Sequence, residues 1–200
     1  RCLKMPSVIA FPLKINNKSV HKLAIPFVMV LFVLGNYLSV FYEKILSLLN
    51  IRTTQPTYFM PKSLTLIVLV AVLNVIIVPI LTEFYLRGAI MQSLRQFGDG
   101  YALLVTSIIS AFMVHDISLT CLSFMLALGV GYFVLKTGSI RTGIMMQIII
   151  KLSFYLIFLV KYYCNATVST LILTTAWFAY ISIGFLIILI FIRKKNGLVF

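Results

Sequence analysis

The sequence contains few acidic residues: 4 Asp and Glu stand against 17 Lys and Arg, and the formal net charge is +13. A strongly basic balance is one mark of nucleic-acid-binding proteins. Here, however, the basic residues lie mostly at the ends of long apolar segments, where they are typical of membrane topology signals. The charge therefore gives no support to a nucleic-acid partner.

Cysteine is also scarce. Cys2, Cys121 and Cys164 show neither a pairing pattern nor zinc-ligand spacing, so the sequence predicts no disulfide framework and no zinc site. Charged residues make up 10% of the chain and hydrophobic residues 62%, with a mean hydropathy of +1.10. Soluble domains contain about 45–50% apolar residues. The composition therefore predicts an integral membrane protein whose first partner is the lipid bilayer.

A cleavable signal peptide is not recognisable, because residues 1–22 are basic and broken by prolines. The chain begins with Arg1 rather than methionine, which is consistent with a piece of a longer protein. Further along, six apolar segments approach or exceed the roughly 20 residues that a helix needs to cross a bilayer. The predicted spans are residues 24–49, 63–93, 101–116, 119–136, 141–160 and 168–192. We therefore expect an all-α, polytopic transmembrane bundle of about six spans.

The basic residues also predict the topology. With a cytoplasmic N-terminus, eleven bases fall on the cytoplasmic side, and three, Arg52, Lys62 and Lys161, fall on the other. Loops rich in Lys and Arg stay in the cytoplasm, so both termini are expected there. We divide the chain into four parts: a basic juxtamembrane segment (1–22), a first span with its external loop (23–62), a core (63–160), and a last span with a basic tail (161–200).

Charged residues inside the spans are the strongest functional signal. Glu83 and Arg87 are four residues apart and share a helix face. Each charge costs about 2.5–3.5 kcal/mol to insert, so such residues face the bundle interior and are candidates for function. Two interpretations remain open, a structural ion pair and a working site. Pro79, four residues before Glu83, is expected to free a backbone carbonyl and open the helix there.

Other polar residues are predicted to lie at similar depths. With a rise of about 1.5 Å per residue, Glu83 and Lys151 lie roughly 15 Å from the cytoplasmic ends of their spans, and His115 about 21 Å. Gln147 lies one turn from Lys151, on the same span. These positions predict a shared polar cavity. Gly129 and Gly131 are expected to permit close helix contact beside it.

The residues resemble the CPBP intramembrane proteases, which include the CAAX prenyl endopeptidases and the Abi-type immunity proteins. Residues 82–88 (TEFYLRG), after Pro79, resemble the family motif Glu-Glu-x-x-x-Arg-Gly, and residues 111–115 (AFMVH) keep the histidine of the motif Phe-x-x-x-His. Residues 122–140 are similar to the following helix, which ends in Thr-Gly-Ser-Ile, and residues 147–151 occupy the third motif, His-x-x-x-Asn. The resemblance covers about 63–160 and implies a core of four to five helices.

By this resemblance, Glu83, Arg87 and His115 are the candidate catalytic residues. In the family the first glutamate activates the hydrolytic water with help from the second-motif histidine, and the third motif stabilises the oxyanion. Thr82, Gln147 and Lys151 stand at the degenerate positions. A threonine cannot act as a carboxylate base, whereas Gln147 and Lys151 retain hydrogen-bond donors for an oxyanion.

We expect no cofactor. Glu83 and His115 are weak metal candidates, because two ligands are too few for a closed tetrahedral site. Lys151 is expected to balance the charge of Glu83, with Arg87 holding the pair in place.

Three functions are compatible with these residues. The first is a family scaffold that has lost most or all peptidase activity and binds a hydrophobic peptide or membrane protein, in bacteriocin immunity or regulation. The second is an active intramembrane endopeptidase that uses Glu83 and His115. The third is an unrelated small carrier or a subunit of a membrane complex. The resemblance favours the first, in a bacterial plasma membrane.

Overall fold

The computed structural model of the chain describes residues 12–51, 63–114 and 116–193. All regular elements in these ranges are helices. They are α1 (Lys18–Leu48), α2 (64–97), α3 (Asp99–Phe112), α4 (Ile117–Thr137), α5 (Ile140–Tyr163) and α6 (Ala166–Arg193). The predicted all-α bundle is therefore confirmed.

Five of the six helices are long and apolar enough to cross a membrane, and α3 is shorter. Its 14 residues extend about 21 Å, against roughly 30 Å of hydrocarbon. The predicted span over 101–116 is therefore too long at its C-terminal end. The helix ends at Phe112, and Asp116 already caps the next helix by accepting hydrogen bonds from the Ser118 amide (2.9 Å) and hydroxyl (2.8 Å).

The turn between α4 and α5 is held by the segment that precedes α1. Gly138 ends α4 in the left-handed conformation, with φ +64°, and the Ser139 side chain caps α5. The Ile140 amide donates to the Pro12 carbonyl (2.9 Å), and the Asn16 amide donates to the Thr137 carbonyl (3.1 Å). Residues 12–16 are thus fastened across this end of the bundle.

Helix α4 lies at the centre of the bundle. It packs against α1, α3 and α5, while α1 also contacts α5 and α6. Gly129 faces Leu31 and Phe27 of α1, and Gly131 faces Leu103 of α3. The predicted close contact at these two glycines is confirmed, because a β-carbon at either position would collide with a neighbouring side chain.

Helix α2 is irregular along its length. Regular α-helix over Leu64–Val72, Val78–Glu83 and Met91–Leu94 alternates with π-helical turns over Leu73–Ile77 and Phe84–Ile90, and the helix ends in a 3-10 turn at Arg95–Phe97. π-helical turns widen the backbone and frequently occur at functional sites. Both wide turns flank the segment that contains Pro79 and Glu83.

Candidate active site

Pro79 lies where the helix around the site departs from regular geometry. It has no amide proton, and it lies at the start of the segment Val78–Glu83, directly after the first π-helical turn. The second π-helical turn begins immediately after Glu83 and contains Arg87. The two charged residues therefore lie on either side of a change in backbone geometry, as the position of Pro79 before Glu83 suggested.

Glu83 and Arg87 form an ion pair inside the bundle. The Arg87 Nε atom lies 3.8 Å from Glu83 Oε2, and both side chains are 0% exposed. The prediction that these residues share one helix face is confirmed.

The Arg87 guanidinium joins three helices. Nη1 donates to the Thr106 hydroxyl of α3 (2.7 Å), and Nη2 donates to the backbone carbonyl of Ala127 in α4 (2.6 Å). Gly131 makes this approach possible, because a β-carbon there would lie 3.1 Å from Arg87 Nη1. Thr106 in turn donates to the Ala102 carbonyl (2.8 Å). Arg87 is therefore anchored by α3 and α4 as well as by Glu83.

The Glu83 carboxylate, unlike the Arg87 guanidinium, is enclosed by close packing rather than by hydrogen bonds. Gly143 of α5 packs so closely that a β-carbon would collide with Glu83 Oε2 and lie 2.7 Å from Val134 Cγ2. The Gln147 side chain interacts with the carboxylate. Neither carboxylate oxygen, however, forms a full hydrogen bond with any described residue, and Arg87 Nε also lacks one. Glu83 is thus buried with Arg87 as its charge partner and with unused hydrogen-bonding capacity.

The Thr82 hydroxyl forms a hydrogen bond within its own helix. The Oγ1 atom donates to the Pro79 carbonyl of the same helix (3.1 Å). This bond satisfies a carbonyl in the first turn after the π-helical segment. Thr82 therefore stabilises the local backbone.

The expected ion pair between Glu83 and Lys151 is not formed. Among the described residues, ion pairs within 4.0 Å join Glu83 to Arg87 and Arg95 to Asp99. Lys151 lies on an exposed part of α5. The depth of Lys151 along its helix was predicted from residue spacing, but its direction around the helix axis was not.

His115 lies outside the described residues, so its role as a catalytic helper stays a prediction, and so does the weak metal pair with Glu83. Within 12–51, 63–114 and 116–193, no group of three or more His, Cys, Asp and Glu side chains converges. Glu83 is the described member of the candidate metal pair, and Arg87 is its charge partner.

Sequence reasoning missed three contributors to the site: Thr106, Gly143 and the Ala127 carbonyl. Thr106 interrupts an apolar helix (ALLVTSIISAF), which is a polar signal at membrane depth. Gly143 precedes Gln147 by one turn of the same helix, and this spacing could have identified it. The Ala127 carbonyl carries no sequence signal, because every residue has one.

Residues 64–153 match the family model described as type II CAAX prenyl endopeptidase Rce1-like. They include the Glu83–Arg87 pair, Thr106, Gly143 and the third-motif positions. This match supports membership of the CPBP family. No curated protein and no solved structure matches the chain. Its apolar helices and the match to this family model together indicate a CAAX protease-like, multi-pass membrane protein.

Proposed function

We propose that this CPBP protein has lost most or all peptidase activity and retains the family scaffold to bind a hydrophobic peptide or a membrane protein partner. The observation that carries the proposal is the state of Glu83. Its side chain is 0% exposed and paired with Arg87. A general base must come within hydrogen-bond reach of the proton that it removes, and this carboxylate is closed off by Gly143 and Val134.

The three motif departures support the same function. Residue 82 is a threonine, so Glu83 lacks the neighbouring carboxylate of the family motif. The Thr82 hydroxyl donates to a backbone carbonyl. Gln147 supplies an amide and Lys151 an ammonium where the family has histidine and asparagine. These groups can donate hydrogen bonds, but a glutamine cannot exchange protons as histidine does.

The proposed partner binds within the bilayer. Next to the charged turn, α2 presents Leu81 (63% exposed) and Tyr85 (56% exposed) on its outer surface. Such side chains are compatible with lipid and with an apolar transmembrane partner. Immunity against a bacteriocin and regulation of a membrane complex are the two roles that the family resemblance suggests. We place the protein in a bacterial plasma membrane with both termini in the cytoplasm, following the distribution of basic residues.

An active endopeptidase is the second candidate, and the proximity of Gln147 to Glu83 favours it. In that function, a small movement of α5 away from α2 would expose Glu83, and Gln147 would remain as a donor beside the reacting carbonyl.

A peptide profile distinguishes the two functions. The gene is deleted in its host and restored as wild type, Glu83→Gln or His115→Ala, and secreted and membrane peptides are compared by mass spectrometry. We expect no peptide to depend on the wild-type gene. If wild type restores a cleaved peptide and both well-expressed variants fail, the protein is a protease and the proposal is wrong.

A restored motif provides the matched control. The triple variant Thr82→Glu, Gln147→His, Lys151→Asn returns the three departures to the family pattern. Cleavage by this variant but not by wild type would assign the loss of activity to these positions. Equal cleavage by both proteins would show that the departures do not reduce catalysis.

A further inference from the structure

A second polar region lies at the end of the bundle away from the α4–α5 turn. It is a cleft of about 520 Å³ between α1, α5 and α6, closed on one side by the first turn of α4. We call it the α6 cleft. Its lining combines apolar side chains, such as Phe154 and Leu173, with hydroxyl groups, such as Thr170 and Thr174. None of the motif residues that the structure describes lines it.

The α6 cleft contains one acidic and one basic side chain, Glu43 and Lys161. Across the part of the chain that the structure describes, neither takes part in an ion pair within 4.0 Å. Both side chains line the same cleft, so one ligand there can contact both charges. A ligand that carries both signs of charge would be attracted by both side chains, whereas a purely anionic ligand would be repelled by the Glu43 carboxylate.

The two charges lie near the ends of their helices. Glu43 precedes the end of α1 at Leu48 by five residues and Lys161 precedes the end of α5 at Tyr163 by two, or about 7.5 and 3 Å along the helix axes. Phospholipid headgroups occupy the outermost layers of a bilayer, about 5–8 Å thick on each side. The charged part of the α6 cleft therefore lies at the depth of the headgroups.

The deeper part of the α6 cleft suits the glycerol and acyl regions of a lipid. The Thr174 hydroxyl donates to the Thr170 carbonyl (2.8 Å), and its oxygen keeps a lone pair toward other groups. Asn36 donates to the Phe32 carbonyl (2.7 Å), which leaves its own side-chain carbonyl as an acceptor. Phe154 and Leu173 supply apolar walls beside these groups.

We propose that the α6 cleft binds a phospholipid whose headgroup carries a primary amine, such as phosphatidylethanolamine. Lys161 binds the phosphate, and Glu43 accepts hydrogen bonds from the ammonium group. A choline headgroup has the same charges but no N–H donor for Glu43. A glycerol headgroup lacks the cation. The acyl chains lie along the apolar walls formed by Phe154 and Leu173.

The test compares lipid retention by the whole protein. Wild type is purified in mild detergent, reconstituted with equal amounts of phosphatidylethanolamine, phosphatidylcholine and phosphatidylglycerol, and analysed by native mass spectrometry. A hydrogen bond to Glu43 separates the ethanolamine headgroup from choline, and a charge contact separates it from glycerol; about 1 kcal/mol for either one corresponds to roughly five-fold. We therefore expect retained phosphatidylethanolamine to exceed each of the other lipids by about five-fold.

Single variants then assign the preference to the α6 cleft. Glu43→Gln removes the contact to the amine and is expected to reduce the preference toward equal retention. Lys161→Gln removes the contact to the phosphate that all three lipids share, so it should lower the retention of all three. Lys44→Gln, on the same helix turn as Glu43 but outside the cleft lining, is the matched control and should keep the preference. Lys161→Arg and Glu43→Asp keep the charges and should keep part of the preference if Gln at either position reduces protein yield.

Several results would overturn the proposal. Equal retention of the three lipids by wild type would remove the basis for amine recognition. A preference for phosphatidylglycerol would contradict the role of Glu43. A preference for phosphatidylethanolamine that survives Glu43→Gln, or a total retention that survives Lys161→Gln, would place the lipid elsewhere on the protein.

Discussion

Two polar regions of this bundle differ in whether their charged side chains are buried. Around Glu83 and Arg87 both side chains are 0% exposed and paired with each other. In the α6 cleft, Glu43 and Lys161 line an open cavity, and neither forms an ion pair with another described residue. Glycines make the difference at the first region, because Gly131 and Gly143 bring α4 and α5 against the charged groups. The enclosed pair is suited to holding helices together, and the open charges are suited to binding a ligand.

The largest effect is expected from removing the cation of the enclosed pair. Arg87→Met leaves the Glu83 carboxylate buried without a charge partner and removes the donors to Thr106 and Ala127. Breaking a buried pair by removing one partner costs about 3–5 kcal/mol. Reversible unfolding in mixed micelles should show a loss of this size in the free energy of unfolding.

Arg95→Met is the matched control for that prediction. Arg95 pairs with Asp99 at 2.8 Å, but the two side chains are 42% and 58% exposed. An exposed pair contributes about 0–1 kcal/mol. Equal losses for the two arginine variants would contradict a special role for the enclosed pair.

A smaller loss is expected from adding one methyl group beside Glu83. Gly143→Ala places a β-carbon against Oε2 of Glu83 and Cγ2 of Val134, and such overpacking costs about 1–3 kcal/mol. Gly100→Ala, which has no heavy atom within 4 Å of its new β-carbon, should cause no loss. Thermal unfolding of both variants in detergent would measure this difference, and a stable Gly143→Ala protein would mean that α2 and α5 separate readily.

The contribution of the Arg87 acceptor on α3 should be similar or smaller. Thr106→Val keeps the shape of the side chain but leaves Arg87 Nη1 without its 2.7 Å partner. An unsatisfied buried donor costs about 1–3 kcal/mol. Thr175→Val is the control, because that exposed hydroxyl bonds only to carbonyls of its own helix. Unfolding free energies that change equally in both variants would contradict the anchoring role of Thr106.

The smallest effect concerns Glu83 and Lys151. Because no ion pair joins them within 4.0 Å, the unfolding losses of Glu83→Gln and Lys151→Met should add to within about 0.5 kcal/mol in the double variant. Strong coupling in this double-mutant cycle would show that the two groups meet in a conformation other than the one described.

Several parts of the site could be predicted because they depend on local periodicity. Glu83 and Arg87 share a face since four residues make about one helical turn, and the ion pair follows from that spacing. Gly129 and Gly131 permit close packing because they lack a side chain, whichever helices approach them. The departures at Thr82, Gln147 and Lys151 are readable residue by residue.

Other parts could not be predicted, because residue spacing gives depth along a helix but not direction toward a neighbouring helix. Lys151 was placed at the depth of Glu83, yet it lies on an exposed part of α5. Conversely, Thr106 and Ala127 bind Arg87 across 19 and 40 residues of sequence. The length of α3 was overestimated because the apolar run continues past Phe112, whereas the helix does not.

The sequence by itself determined a helical membrane protein that resembles the CPBP family and carries charges within its spans, because apolar length and motif order are local properties of the chain. The tertiary structure decided which groups meet those charges. It set Arg87 against Thr106 and Ala127, enclosed Glu83 with Gly143, and left Glu43 and Lys161 in an open cleft. Those contacts depend on how the helices rotate and pack against one another, and local sequence does not specify that rotation.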